Sequence, residues 1–91
     1  MGYEKTSREI EQLQEHVQAL LDSYCNQEQL GFTLKVLRDY TQQEGWLYLA
    51  VVPDKGGIRV YDYAKALTDV ENKLRREEHV EHVLLLPDLA A

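Results

Sequence analysis

Residues 46–52 constrain the fold more than any other part of this chain. Their sequence, Trp-Leu-Tyr-Leu-Ala-Val-Val, contains no charged side chain and is bounded by Gly45 and Pro53. The segment is short for a helix, and successive side chains of a strand point to opposite faces of a sheet. A strand that is apolar on both faces lies in the middle of a sheet. The rest of the chain must therefore supply strands on both sides of it and a layer that covers at least one face.

A long helix is predicted before this strand, over residues 7–24. Thr6-Ser7-Arg8-Glu9 forms a capping box, in which the hydroxyl and the carboxylate satisfy free backbone donors at a helix start. The apolar residues that follow have helical spacing: Ile10, Leu13, Val17, Leu20, Leu21 and Tyr24. The polar residues between them, including Gln14 and Gln18, are expected to occupy the opposite face.

The first strand and its hairpin are predicted from alternation. Residues 32–36 alternate apolar with polar side chains, and this strand is expected to fade near Tyr40. Residues 41–45 are polar and have the length of a hairpin loop. The first strand therefore pairs antiparallel with residues 46–52.

A second helix and a third strand follow the turn-forming residues 53–57. Residues 58–61 are expected to continue as extended chain, and Asp62 is expected to cap the helix. The helix carries an apolar stripe of Tyr63, Ala66, Leu67, Val70 and Leu74. Residues 80–86, closed by Pro87, form the last strand.

The order helix–strand–strand–helix–strand predicts an α+β fold, a two-layer sandwich with a three-stranded mixed sheet and two helices on one face. The crossover through the second helix makes the second and third strands parallel. Ninety-one residues suffice for one hydrophobic core. We expect a single domain over residues 1–91, with flexible ends at 1–6 and 88–91.

Two helices on one face leave the other face of the sheet open. From the central strand this open face is expected to present Trp46, Tyr48, Ala50 and Val52. The third strand offers either Val83 and Leu85 or the set Val80, Leu84 and Leu86, depending on register. The predicted interface consists of Trp46, Tyr48, Ala50, Val52, Val83 and Leu85. Such a patch favours a homodimer or a protein partner over a monomer, although the chain's own ends are an alternative cover.

Charge and cysteine content narrow the partners and the compartment. Sixteen acidic and ten basic residues give a net charge of −6, which disfavours nucleic acid and anionic membranes. The apolar runs are far too short to cross a bilayer. Cys25 is the single cysteine, so no internal disulfide forms, and no signal-peptide pattern precedes the first helix. We therefore expect a cytoplasmic protein.

No motif predicts catalysis, a cofactor or a metal ion. His79 and His82 are three residues apart on an expected strand and would face opposite ways. Cys25 closes the first helix, far from His16, where the helix dipole disfavours a thiolate. Gly56-Gly57 is a turn rather than a phosphate loop. The chain is therefore expected to be a non-enzymatic interaction or regulatory domain.

The element order resembles a ferredoxin-like domain without its first strand. It is also similar to the KH-like arrangement of bacterial ribosome-binding factor A, with Leu30-Gly31-Phe32-Thr33 at the entry to the first strand. That resemblance implies the alternative function, a ribosome- or RNA-associated domain. It requires the basic residues to cluster in space: Lys35, Arg38, Lys55, Arg59 and Lys65. The end, Leu89-Ala90-Ala91, resembles the terminus of bacterial degradation tags.

Overall fold

The computed structural model describes residues 6–88 and has the predicted architecture. Its elements are α1 (Ser7–Gln27), β1 (Leu34–Gln43), β2 (Trp46–Pro53), α2 (Val60–Glu77) and β3 (Val83–Pro87). The sheet order is β1-β2-β3, with β1 antiparallel to β2 and β2 parallel to β3. The prediction of an α+β fold with a three-stranded mixed sheet is therefore confirmed, and β2 is the central strand.

The capping box forms as expected at the start of α1. The Glu9 N–H donates to the Thr6 hydroxyl over 3.2 Å, and the Thr6 N–H donates to the Glu9 carboxylate over 3.0 Å. The helix continues three residues beyond the predicted end, to Gln27. Its buried residues belong to the predicted stripe with the addition of Cys25: Ile10, Val17, Leu21 and Cys25.

The β1–β2 hairpin is longer and tighter than the sequence indicated. β1 begins at Leu34 and reaches Gln43, where Gln43 pairs with Trp46 across a turn of two residues, Glu44 and Gly45. Both turn residues have positive φ, 54° and 83°, which matches the twist of a two-residue hairpin. Between the pairs Val36–Val51 and Tyr40–Leu49 the register shifts, and residues 37–39 bulge opposite Ala50.

The starts of α2 and β3 also differ from the prediction. The helix α2 starts at Val60, and Arg59, not Asp62, is its N-cap residue. The expected extended chain over residues 58–61 is therefore wrong in its second half, because Ile58 and Val60 pack against the core as the helix begins. The strand β3 begins at Val83 rather than at residue 80, since His79 and His82 have positive φ values of 57° and 65°.

The hydrophobic core lies between the helices and one face of the sheet. Both helices contribute to it, together with alternate residues of each strand: Leu34, Val36, Leu47, Leu49, Val51, Val83 and Leu85. The helices run antiparallel to each other, because His16 contacts Glu78 whereas Tyr24 contacts Asp69. This arrangement confirms that both helices cover the same face.

The ends expected to be flexible are residues 1–6 and 88–91, and of these residues 1–5 and 89–91, with the tag-like terminus, lie outside the described residues. Within the described part, Thr6 caps α1, and the Asp88 N–H donates to the Val51 carbonyl over 2.9 Å. Neither of the two helices between residues 6 and 88 has the length and apolarity that a membrane span requires.

Candidate functional site

The face of the sheet opposite the helices is the candidate site. Trp46, Tyr48, Ala50 and Val52 lie on it, because they alternate along β2 with Leu47, Leu49 and Val51, which are at most 2% exposed. The four outward residues are all half-buried by their neighbours in the sheet. No helix or strand in residues 6–88 covers this face, since both helices pack on the other one. We call it the open face.

The open face receives Leu84 and Leu86 from β3, which corrects the predicted interface. Val83 and Leu85 are 3% exposed and pair with Leu47 and Leu49, so they belong to the core. The parallel register sets Leu84 beside Tyr48 and Leu86 beside Ala50. Leu86 is 43% exposed and is the most accessible aliphatic residue described on this face. Val80, the other candidate, precedes the strand and packs against the core.

One end of the open face is aromatic. The rings of Trp46 and His82 meet edge to face, with their centroids 4.9 Å apart and their planes at 70°. The backbone holds His82 beside this end of β2, because the N–H of Leu47, the residue after Trp46, donates to the His82 carbonyl over 2.8 Å. His82 therefore packs against Trp46 and supports its position.

The paired β1 positions of the open face are polar, and one of them is charged. Cross-strand pairing sets Lys35, Thr41 and Gln43 beside Val52, Tyr48 and Trp46, respectively. Among the paired strand positions of this face, Lys35 is the charged one. The open face thus combines an apolar centre with a polar border on one side, the composition that protein interfaces favour.

Helix side chains occupy the outer edges of the sheet. At β1 the Gln18 amide donates to the Leu34 carbonyl over 2.7 Å and accepts from the Val36 N–H over 2.8 Å, as a neighbouring strand would. The Gln14 amide donates to the carbonyls of Leu37 and Arg38, in the bulge, over 3.2 Å and 3.0 Å. Both glutamines were expected on a solvent-facing side of the helix, and this role was missed.

The other edge, on β3, is closed in a similar way. The Leu85 N–H donates to the Glu71 carboxylate over 2.9 Å. Successive N–H groups along a strand point alternately towards the neighbouring strand and towards the free edge of the sheet. At Leu85 and Pro87 the backbone nitrogens face the free edge. Proline has no N–H, so Pro87 offers no donor at this edge. Both edges therefore carry features that natural sheets use to prevent another strand from adding.

The side chains of His16 and Cys25, which are of the residue types best suited to catalysis, lie apart from one another. The His16 imidazole contacts Glu78, whereas Cys25 is 4% exposed, and burial raises the pKa of its thiol. Among the described residues no three His, Cys, Asp or Glu side chains are arranged to hold a metal ion. His79 and His82 lie in the connection before β3, not on a strand as expected.

A polar cluster joins the two helices on the side away from the open face. The Tyr24 hydroxyl donates to Asp69 over 2.5 Å, and the Lys65 ammonium donates to the same oxygen over 2.8 Å. The hydrogen bonds from Lys65 and Tyr24 lower the pKa of Asp69, while the bond to Asp69 raises the pKa of Tyr24. Lys65 is held on the helices by this cluster.

The basic residues required by the RNA alternative do not share one surface element. Lys35 lies on the open face, Arg38 lies in the bulge, and Lys65 lies on α2. Lys55 lines a shallow depression of about 420 Å³ near the start of α2, where Arg59 is the N-cap, but Asp54 and Asp88 line the same depression. Within residues 6–88, these five basic residues are therefore divided among β1, the connection before α2 and α2 itself.

Comparison with known proteins gives no family for this chain. No protein-family model matches it, and neither the curated proteins nor the solved structures give a match. The ferredoxin-like and KH-like resemblances are accordingly not confirmed beyond the order and pairing of the elements.

Proposed function

We propose that this chain is a small, non-enzymatic protein-interaction domain that associates with a second copy of itself through the open face. The observation that carries the proposal is that β2 is apolar on both faces of the sheet, while the helices cover one of them. Its inward residues are buried beneath two helices, and its outward residues form an apolar, aromatic surface that no described element covers. The largest exposed apolar patch of a small protein, typically a few hundred Å² in area, is often a functional contact surface.

The charge distribution supports self-association. The net charge of −6 opposes the approach of two copies, but this opposition is screened beyond about 8–10 Å at physiological ionic strength. At closest contact the local charges matter most, and no paired strand position of the open face carries a carboxylate. In the bulge opposite Ala50, the exposed Asp39 directly follows Arg38. Two copies can therefore meet at the paired positions of this face without bringing acidic side chains together.

The closed edges support the face rather than the edge as the contact surface. A strand added at β1 would have to displace Gln18 from Leu34 and Val36. A strand added at β3 would have to displace Glu71 and would meet Pro87. Displacing these bonds costs free energy that docking against the open face does not require. The single free cysteine and the lack of disulfides fit the reducing cytoplasm, which we propose as its compartment.

The experiment is sedimentation velocity over a concentration series, with a matched pair of variants. The parent is expected to shift from 10.6 kDa towards twice that mass as concentration rises. Leu86→Glu places a charge on the open face at a residue that is already 43% exposed, so the fold should survive. Tyr61→Glu makes the same charge change at a position that is 86% exposed on α2, away from that face.

Association should be lost in Leu86→Glu and retained in Tyr61→Glu. Circular dichroism of both variants checks that each remains folded. A parent that stays at 10.6 kDa throughout the series, or equal association of both variants, contradicts the proposal.

A further inference from the structure

We infer that the second copy docks with its central strand antiparallel to β2, so that the large end of one open face meets the small end of the other. This inference rests on the proposed self-association and adds the geometry of the contact. It follows from a gradient of side-chain size along β2. Trp46 and Tyr48 stand at one end of the strand, and Ala50 and Val52 stand at the other.

Facing sheets pack with their strands either aligned or orthogonal, and two twofold placements keep the central strands of the two copies aligned. A twofold axis that relates two facing sheets must lie in the plane between them. If the axis runs across β2, the two central strands are antiparallel, and β3 of one copy faces β3 of the other. If the axis runs along β2, the central strands are parallel, and β3 of one copy faces β1 of the other.

The crosswise axis matches large residues with small ones. With the axis crossing β2 at Leu49, it sets Trp46 opposite Val52 of the second copy and Tyr48 opposite Ala50 of the second copy. Leu84 then meets Leu86, because the β2–β3 register places these two leucines beside Tyr48 and Ala50. Facing sheets pack about 10 Å apart with interlocking side chains, so alternating large and small partners fill the space evenly.

The lengthwise axis matches like with like. Trp46 would meet Trp46, which holds the sheets apart, while Ala50 would meet Ala50 and leave a gap. Unfilled space in an apolar contact is destabilising because the atoms around it lose packing partners. This arrangement would also bring Lys35 near the end of β3 in the second copy. Any ion pair that Lys35 formed there would be exposed to solvent and would contribute at most about 1 kcal/mol to the free energy of association. Packing therefore favours the crosswise axis.

The size of the face sets the expected strength. Three strands about 4.8 Å apart, with outward residues spanning about 20 Å along β2, present roughly 300–400 Å² per copy. The total buried area is then below the 1,200 Å² or so of standard stable interfaces, which corresponds to a weak dimer. We expect a dissociation constant on the order of 100 µM rather than nanomolar.

Disulfide trapping tests the orientation on a Cys25→Ser background. A mixture of chains carrying Leu84→Cys and Leu86→Cys should cross-link under oxidised glutathione at least about tenfold faster than either chain alone, because docking raises the effective thiol concentration. Ala50→Cys alone reports the lengthwise axis, which sets that position opposite itself. Tyr61→Cys, 86% exposed and away from the face, measures cross-linking by random collision.

Preferential cross-linking of the Leu84→Cys and Leu86→Cys mixture supports the inference. Faster trapping of Ala50→Cys overturns the antiparallel orientation but leaves the proposed self-association intact. If every chain cross-links only at the rate of Tyr61→Cys while sedimentation still detects a dimer, the inference fails alone. If cross-linking stays at the Tyr61→Cys rate and sedimentation also detects no dimer of the Cys25→Ser protein, the inference and the proposed function both fail.

Discussion

Gln18 should stabilise this fold far more than an ordinary polar residue on a helix. Its side-chain amide makes two part-buried hydrogen bonds to β1, to the Leu34 carbonyl and from the Val36 N–H. Each such bond contributes about 0.5–1.5 kcal/mol, and leaving backbone groups unpaired beneath a helix adds to the loss. Gln18→Ala should therefore lower the free energy of unfolding by about 1.5–3 kcal/mol.

Urea denaturation followed by circular dichroism measures this change. A domain of this size has a stability of roughly 5–13 kcal/mol. With an m-value of about 1 kcal/mol/M, the loss should move the midpoint by about 1.5–3 M urea. Gln12→Ala is the matched control, because Gln12 is an exposed residue of the same helix, and it should change stability by only a few tenths of a kcal/mol.

Hydrogen exchange identifies the bond responsible. In Gln18→Ala the Val36 amide should exchange faster than global destabilisation alone explains. Gln18→Glu keeps an acceptor for the Val36 N–H but loses the donor to the Leu34 carbonyl, so Val36 should stay protected even though stability falls. If Gln18→Ala and Gln12→Ala are equally stable and the Val36 amide remains protected from exchange in both, the conclusion that Gln18 closes the β1 edge is wrong.

Three further outcomes follow from other contacts. The hydrogen bonds from Lys65 and Tyr24 lower the pKa of Asp69 below its ordinary value of 3.8. These bonds therefore stabilise the folded protein fully above pH 3.8, and this stabilisation is lost as the pH falls through the lowered pKa. Asp69→Asn should therefore be less stable than the parent at pH 7, and urea titrations should find a smaller difference at about pH 3; a constant difference would argue against the cluster. Burial raises the pKa of Cys25, so Ellman's reagent at about pH 8 should react much more slowly with the native protein than with the urea-unfolded chain, and equal rates would refute a buried thiol. Gly45→Ala forces an alanine to φ near 83° in the hairpin turn and should cost about 1 kcal/mol in the same denaturation assay, whereas an unchanged midpoint would contradict the turn geometry.

The parts of the fold set by local chemistry were predictable from sequence. The capping box at Thr6 located the start of α1, and the uncharged run 46–52 located the central strand. Both signals depend on residues close together in the chain. The topology followed because a strand–helix–strand crossover leaves few arrangements.

The orientation of β3 was not predictable because Val83, Leu84, Leu85 and Leu86 are all apolar. Without alternation, the sequence of this strand does not indicate which residues face the helices. Pairing with β2 decides that question, and the β2 partners lie 36 positions earlier in the chain, as the Leu47–Val83 and Tyr48–Leu84 pairs show. The predicted interface therefore named residues of β2 that face away from the helices and residues of β3 that face the core.

The contacts of helix side chains with the sheet edges could not be predicted for a related reason. Gln14, Gln18 and Glu71 are polar helix residues, and in the sequence such residues are indistinguishable from a solvated face. Their partners are backbone groups of strands 14–24 positions away along the chain. Only the packing of each helix against its strand identifies them.

Residue-level NMR of a dilution series tests the central claim most directly. From about 20 µM to about 1 mM, a range that brackets the expected affinity, amide and side-chain signals of the open face should move: those of Trp46, Tyr48, Ala50, Val52, Leu84 and Leu86. Signals of the core and of the outward side of the helices should stay fixed. Shifts confined to α1, α2 or the strand edges, or no shift over the whole range, would contradict an interface on the open face.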